Sequence, residues 1–250
     1  MTEPVRPTAL ICRGCWDQMH VPIPIRGPLA LPFRLFGITR SKMSPEICTI
    51  CERAFQAVQR RRHVTRTATI LFADIRGYTA LSEVMEPVTL SETVSAFQDQ
   101  CARAVWAEAG IVNKQMGDGL MAIFNFPIRV EDHAAAALRA GIAIQHRCRI
   151  ALAELARRLG GEPGEGLGVG VGIHTGSVEI GQFSTTPSDF TAIGGTVNLA
   201  ARLEGQAAPG EILLSPEAAS AAALPPGTPR RSVTLKGLAA PVEARVVAAA

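Results

Sequence analysis

A chain that sets an aspartate between two glycines, with an apolar run on each side, has few ways to fold at that point. The stretch "IVNKQMGDGLMAIF" (111 to 124) does this at Gly117, Asp118 and Gly119. Glycine adopts positive φ at no steric cost, so the trio suits the tight turn of a β-hairpin. Ile111 and Val112 on one side, and Leu120 to Phe124 on the other, are apolar enough for buried strands. Lys114 precedes Asp118 on the incoming strand. By turn chemistry alone Asp118 is a turn former, as aspartate often is. What flanks the hairpin gives it a second reading.

Upstream, "TATILFAD" (67 to 74) is a short apolar run ending in Asp74, which reads as a buried strand. "IRGYTALSE" then turns into a helix with Thr79 and Ser82 as cap candidates, and a second helical pattern covers roughly 89 to 108. Beyond the hairpin a long helix spans about 130 to 159, with Leu138, Ile142 and Ile150 among its apolar positions. "GLGVGVGIHTGSVEIG" (166 to 181) reads as a strand pair turning at Thr175 and Gly176. Its glycines fit no G-x-G-x-x-G register and argue for close strand packing instead. His174, at the end of that strand, reads as a packed core residue rather than a ligand. Neither a P-loop nor a G-x-S-x-G elbow occurs.

The order strand, helix, hairpin, helix, strand is the split βαβ, or ferredoxin-like, arrangement of the α+β class. In that topology the first strand lies beside the outgoing strand of the hairpin. Asp74 and Asp118 then face each other, and two such carboxylates repel unless a cation lies between them. Hard oxygen ligands favour Mg²⁺ or Mn²⁺. Asp118 is thus better explained as half of a metal site.

Residues 1 to 60 have a different texture, rich in proline and poor in periodicity, and they read as a small separate module. Cys12-x-x-Cys15 and Cys48-x-x-Cys51 supply two thiolate pairs. Each pair offers half a tetrahedron, the signature of structural zinc, although the gap between the pairs exceeds the usual one. An iron–sulfur cluster, a redox dithiol or no metal are the alternatives. Trp16, Phe33 and Phe36 are candidates for a small core there. Cys101 and Cys148 fall in helical patterns and read as buried small hydrophobes. The run "QRRRH" (59 to 63) is a local basic stretch; residues 61 to 66 read as a solvated linker and 67 to 248 as the main domain.

At 250 residues, 47% hydrophobic and 19% charged, the chain has the composition of a soluble globular protein. A net charge of +3 is too small to argue for nucleic acid. The apolar stretch 21 to 38 carries Arg26, Arg34 and four prolines, so it does not span a membrane. With no signal-peptide pattern at the amino terminus, the expected location is cytoplasmic, where structural disulfides are rare.

Five motifs in order, "ILFADIRGYTALSE", "NKQMGDGLMAIF", "VGIHTGSV", "FTAIGGTVNLAARLEG" and "LKGLAAPVEA", resemble the catalytic domain of class III nucleotide cyclases across about 66 to 248. The resemblance implies that Asp74, Asp118 and the carbonyl of Ile75 bind two Mg²⁺ or Mn²⁺ ions per active site. It implies that Lys114 and Thr191 read an adenine, as in a threonine-containing bacterial adenylate cyclase subgroup. Asn198 and Arg202 match the residues that hold the ribose and stabilise the transition state, and Lys236 matches a lysine on the terminal phosphates. Spacing agrees: Asn198 and Arg202 stand i, i+4 on one helix face, and a fixed guanidinium suits a phosphate whose charge shifts. The backbone N–H groups at Gly77 and Tyr78, where a helix opens, suit a phosphate as well.

The function this implies is an adenylate cyclase that releases pyrophosphate from ATP and leaves 3′,5′-cyclic AMP. It works as a homodimer with shared active sites. A catalytically weak regulatory subunit, or a metal or redox sensor with a cyclase output, are the competing readings. One departure from the pattern is Gly195, where the family more often has aspartate or asparagine; it is expected to loosen the start of the helix carrying Asn198 and Arg202.

Overall fold

The computed structural model describes residues 10–52, 64–158, 168–182, 190–237 and 240–248. Two short helices, α1 (Arg13–Met19) and α2 (Leu31–Leu35), belong to the amino-terminal module. Then follow β1 (Val64–Arg76), α3 (Tyr78–Val84), α4 (Pro87–Ala107), β2 (Ile111–Met116), β3 (Gly119–Phe124) and α5 (His133–Arg158). The remainder is β4 (Gly168–Gln182), β5 (Phe190–Ile193), α6 (Gly195–Glu204), β6 (Glu211–Leu214), α7 (Pro216–Ala221), β7 (Arg230–Val233) and β8 (Val242–Ala248).

The strands form one sheet in the order β2-β3-β1-β4-β6-β8-β7, with β5 pairing β4 outside that path. The first four are antiparallel neighbours, the order a split βαβ unit requires. β1 begins at Val64, so residues 64 to 66 of the expected linker are strand, while 61 to 63 lie outside the described residues. Thr79 and Ser82 sit inside α3 rather than capping it; the Ser82 hydroxyl donates to the Thr79 carbonyl at 2.7 Å.

Alternation along β1 divides the interior in two. Leu71, Ala73 and Ile75 face α4 and α5, packing with Phe97, Cys101, Val105, Ile144 and Cys148. Ala68, Ile70 and Phe72 face the other way, into a cluster that holds Ile111, Met121, Ile123, α6's Ala200 and the four paired cysteines. The amino-terminal module therefore shares a core with the sheet. Trp16 and Phe36 do not form that core: they are 45% and 82% exposed. The four cysteines, Ile25 and Ile47 take the buried positions where the two C-x-x-C turns converge.

The expected turn at Thr175 and Gly176 does not occur. β4 is a single strand, and Thr175 and Gly176 remain in register with Thr69 and Ala68 of β1. A central strand paired on both sides overrides a local turn signal. The glycines of β4 serve close approach of a helix. A Cβ on Gly172 would overlap the Glu204 amide and the Ala200 carbonyl, both backbone atoms of α6. A Cβ on Gly170 would overlap the Arg76 guanidinium. His174 is buried as expected, with Nδ1 2.6 Å from the Ser215 hydroxyl, and burial lowers its pKa.

Candidate active site

β1 and the β2–β3 hairpin end together. Asp74 is in register with Gly119, and the Ile75 N–H donates to the Asp118 carbonyl at 3.2 Å, so main-chain pairing fixes the turn against the strand end. Gly117 takes φ 61°, the left-handed conformation the turn needs. A Cβ on Gly119 would stand 3.2 Å from Asp74 Oδ1, so this glycine leaves room for the carboxylate. Burial, and then the neighbouring Asp118, push the Asp74 pKa up to about 6 against the opposing pull of Arg76. Around neutral pH the site therefore holds an anion against its preference. Two aspartates and a strand-end carbonyl are hard oxygen donors, and this chemistry fits Mg²⁺ or Mn²⁺.

Arg76 and Glu204 are the site neighbours that the motifs do not reveal. Arg76 Nη1 lies 3.8 Å from Asp74 Oδ2, and Nη2 donates to both the carboxylate and the backbone carbonyl of Glu204. Burial raises Glu204 to about 7, with Arg76 opposing. The arginine thus ties the strand that carries Asp74 to the last residue of α6. The sequence offered only that Arg76 stands two residues past Asp74; the room for its guanidinium comes from Gly170, which the structure puts in register with Asp74.

α6 carries Asn198, exposed, and Arg202, half-buried in the last turn. A Cβ on Gly237 would be 3.3 Å from Arg202 Nη2, so the turn that follows Lys236 packs on that guanidinium. The Lys236 side chain itself is exposed. Gly77 adopts φ 78° and Tyr78 starts α3, with the Tyr78 ring packed on the α4–α5 side of the core.

On β2 the register shifts between Val112 and Lys114, and such a bulge re-aims the side chain it carries. The Thr191 hydroxyl of β5 donates to Asn113 Oδ1 at 3.1 Å. Lys114 and Thr191 are both half-buried, and Asn113 joins their strands.

The four paired cysteines are 0–2% exposed, and their Sγ atoms all lie within 4.8 Å of one another. Cys15 Sγ is 3.0 Å from Cys51 and 3.5 Å from Cys48, and Cys12 Sγ is 3.4 Å from Cys51. The backbone amides of Cys15 and Cys48 both donate to Cys12 Sγ, at 3.4 and 3.2 Å. A closed set of four sulfurs with N–H donors is the chemistry of a four-coordinate zinc site. No described helix is long and apolar enough to cross a membrane.

Residues 61–241 match the model of the adenylate and guanylate cyclase catalytic domain, so the chain belongs to that family, the class III nucleotide cyclases. Among solved structures it is similar to the adenylyl cyclase CyaB from P. aeruginosa, with 31% identity, TM-score 0.66, and 74% of this chain and 96% of that one covered. The guanylyl cyclase Cya2 gives 28% identity and TM-score 0.67 over 75% and 95%. An adenylate cyclase of Anabaena cylindrica is 36% identical over 142 residues, 56% of this chain and 27% of that protein. The chain thus spans about a quarter of that curated relative.

Proposed function

We propose that this cyclase acts on ATP, forming 3′,5′-cyclic AMP and pyrophosphate. The observation that carries the reading is the hydrogen bond from Thr191 to Asn113, which fastens β5 to β2 at the residue before Lys114, both candidate base readers being half-buried. The lysine ammonium donates to adenine N1, and the threonine hydroxyl accepts from the 6-amino group. Guanine presents an N1–H donor to the lysine, which mismatches that contact, and a 6-carbonyl to a hydroxyl whose proton is already given to Asn113. Asn198 orients the ribose, and Arg202 neutralises charge at the α-phosphoryl group as the 3′-hydroxyl attacks and the bond to pyrophosphate breaks. Asp74, Asp118 and the Ile75 carbonyl would hold two divalent ions, which when bound supply Lewis-acid activation of the hydroxyl and neutralisation of the triphosphate.

The working unit in this proposal is a homodimer. Lys114 lies about 13 Å back along an extended strand from Asp118, so one hairpin does not easily bind both the metal and the base of one nucleotide. Each site would take Asp74 and Asp118 from one chain and Lys114, Thr191, Asn198 and Arg202 from its partner. Zinc on Cys12, Cys15, Cys48 and Cys51 completes the proposal as a structural ion. Turnover with ATP and GTP in parallel, with Mg²⁺ and then Mn²⁺, tests the substrate: comparable kcat/KM for the two nucleotides would overturn it.

A further inference from the structure

Where the amino-terminal module meets α4 there is a cavity of about 580 Å³, away from the residues assigned to the nucleotide. Its size is that of a small-molecule site. Arg34, Arg40 and Lys42 line it together with Ile25, Thr39, Ser41, Pro45 and Trp106, and no acid lines it. None of these three cations makes an ion pair among the described residues. A fourth cation stands behind them. Arg26 Nη2 donates to the carbonyl of Pro45, a lining residue, while Nη1 is buried with no hydrogen-bond partner. Two acids stand behind the wall: Glu46 is held by Arg13 at 2.7 Å, and Glu52 accepts from the lining Ser41 hydroxyl at 2.7 Å, so three lining cations and Arg26 face two acids. Like charges gathered on a concave surface raise the local potential and favour an anion. Trp106, Ile25 and Pro45 add an apolar wall suited to a flat group, which stacks on indole and on guanidinium planes.

We propose that this cavity binds a small organic anion with a flat apolar part, held by Arg34, Arg40 and Lys42 against Trp106. The site has a route to the nucleotide. Trp106 Nε1 donates to the Met43 carbonyl at 2.7 Å, and the Val112 N–H of β2 donates to the same oxygen at 3.0 Å. Val112 is followed by the bulge at Asn113 and by Lys114, so a ligand that shifts Trp106 shifts the support of the base-reading strand. This second half rests on the assignment of Lys114 and Thr191 to the base; the binding half does not.

Titration calorimetry on the full chain with 2-naphthyl phosphate tests the site. One probe per chain is expected, at least tenfold tighter than inorganic phosphate or 2-naphthol alone. Arg34→Ser with Arg40→Ser, both on exposed side chains, should weaken it tenfold or more, whereas Arg202→Ala should leave it unchanged. No saturable binding, or binding lost in Arg202→Ala and kept in the double variant, would overturn the proposal. For the coupling, saturating probe should change the nucleotide KM severalfold in the parent and not in the double variant. An equal change in both would mean competition at the nucleotide site and would refute the coupling, with the calorimetry still deciding the site.

Discussion

Asp74 and Asp118 are half-exposed carboxylates at the end of paired strands, with an arginine leaning on one of them. Cys12, Cys15, Cys48 and Cys51 are buried thiols that close on one another and are capped by backbone amides. Both sets suit a cation, yet they differ in access and in what they gain from it. An open oxygen site exchanges its ion with solvent and lets substrate join the coordination. A closed sulfur site offers no free position, and its ion contributes folding energy. Under the proposed function the contrast is one between catalytic and structural metal binding within one chain, and each side can be attacked alone.

The largest expected effect is on the open site. Asp74→Ala or Asp118→Ala should lower turnover by more than the ~10²–10³ that one transition-state donor supplies, with circular dichroism unchanged. Retained activity at saturating Mn²⁺ would refute the assignment. The same pair tests the shared site: Asp74→Ala mixed with Arg202→Ala should recover roughly a quarter of parental activity, because half the random dimers are mixed and each has one intact site. Chains shown to exchange without recovery would place the site within one protomer.

The closed site should respond in metal content and stability rather than in chemistry. Purified protein is expected to carry about one zinc per chain, since such sites are four-coordinate. Cys12→Ser with Cys48→Ser should abolish it and lower the melting temperature. An iron–sulfur absorption band, or no metal in the parent, would remove this half of the contrast.

Acidity sharpens the contrast further. The folded pKa of Asp74, about 6, lies above its ordinary value of 3.8, so the folded state binds the proton more tightly. Stability of metal-free protein should then fall as pH rises from about 4 to 6, and Glu204, raised from 4.5 to about 7, extends the window upward. Asp74→Asn should flatten the lower part of that slope and raise the melting temperature at pH 8 while abolishing turnover. Added Mn²⁺ should stabilise the parent more at pH 8 than at pH 5. A parent protein most stable at pH 8 without metal would contradict this.

The smallest effect expected is at Gly195. A Cβ there meets nothing within 4 Å, and the preceding N-cap, Gly194, makes no side-chain cap. Gly195→Asp should stabilise α6 by roughly 0.3–1 kcal/mol through the helix dipole, readable as a small rise in melting temperature.

The meeting of Asp74 and Asp118 was legible because it follows from local patterns, an apolar run ending in Asp74 and a turn whose glycines announce Asp118. The partnership of Arg76 with Glu204 was not legible, since nothing local links two charges that meet only when α6 packs across β4 and β1. Thr175 and Gly176 look like a turn until β1 pairs across them. Trp16 and Phe36 look like core until the structure places the four cysteines inside and those two rings at the surface. In each case the misleading signal was local and the deciding force came from a distant segment.

Gly172 gives this architecture an unusual tolerance. The height of α6 above the sheet, and with it the reach of Asn198 and Arg202, is set by a hydrogen atom where every other residue would carry carbon. Residues on the outer side of α6 can drift through many substitutions without moving the arginine. One methyl group on the strand beneath acts as a shim under the whole helix. A defect that disarms the enzyme can therefore arise at a site that never meets the nucleotide, and a second change that thins the helix elsewhere cannot compensate, because the colliding atoms are main chain.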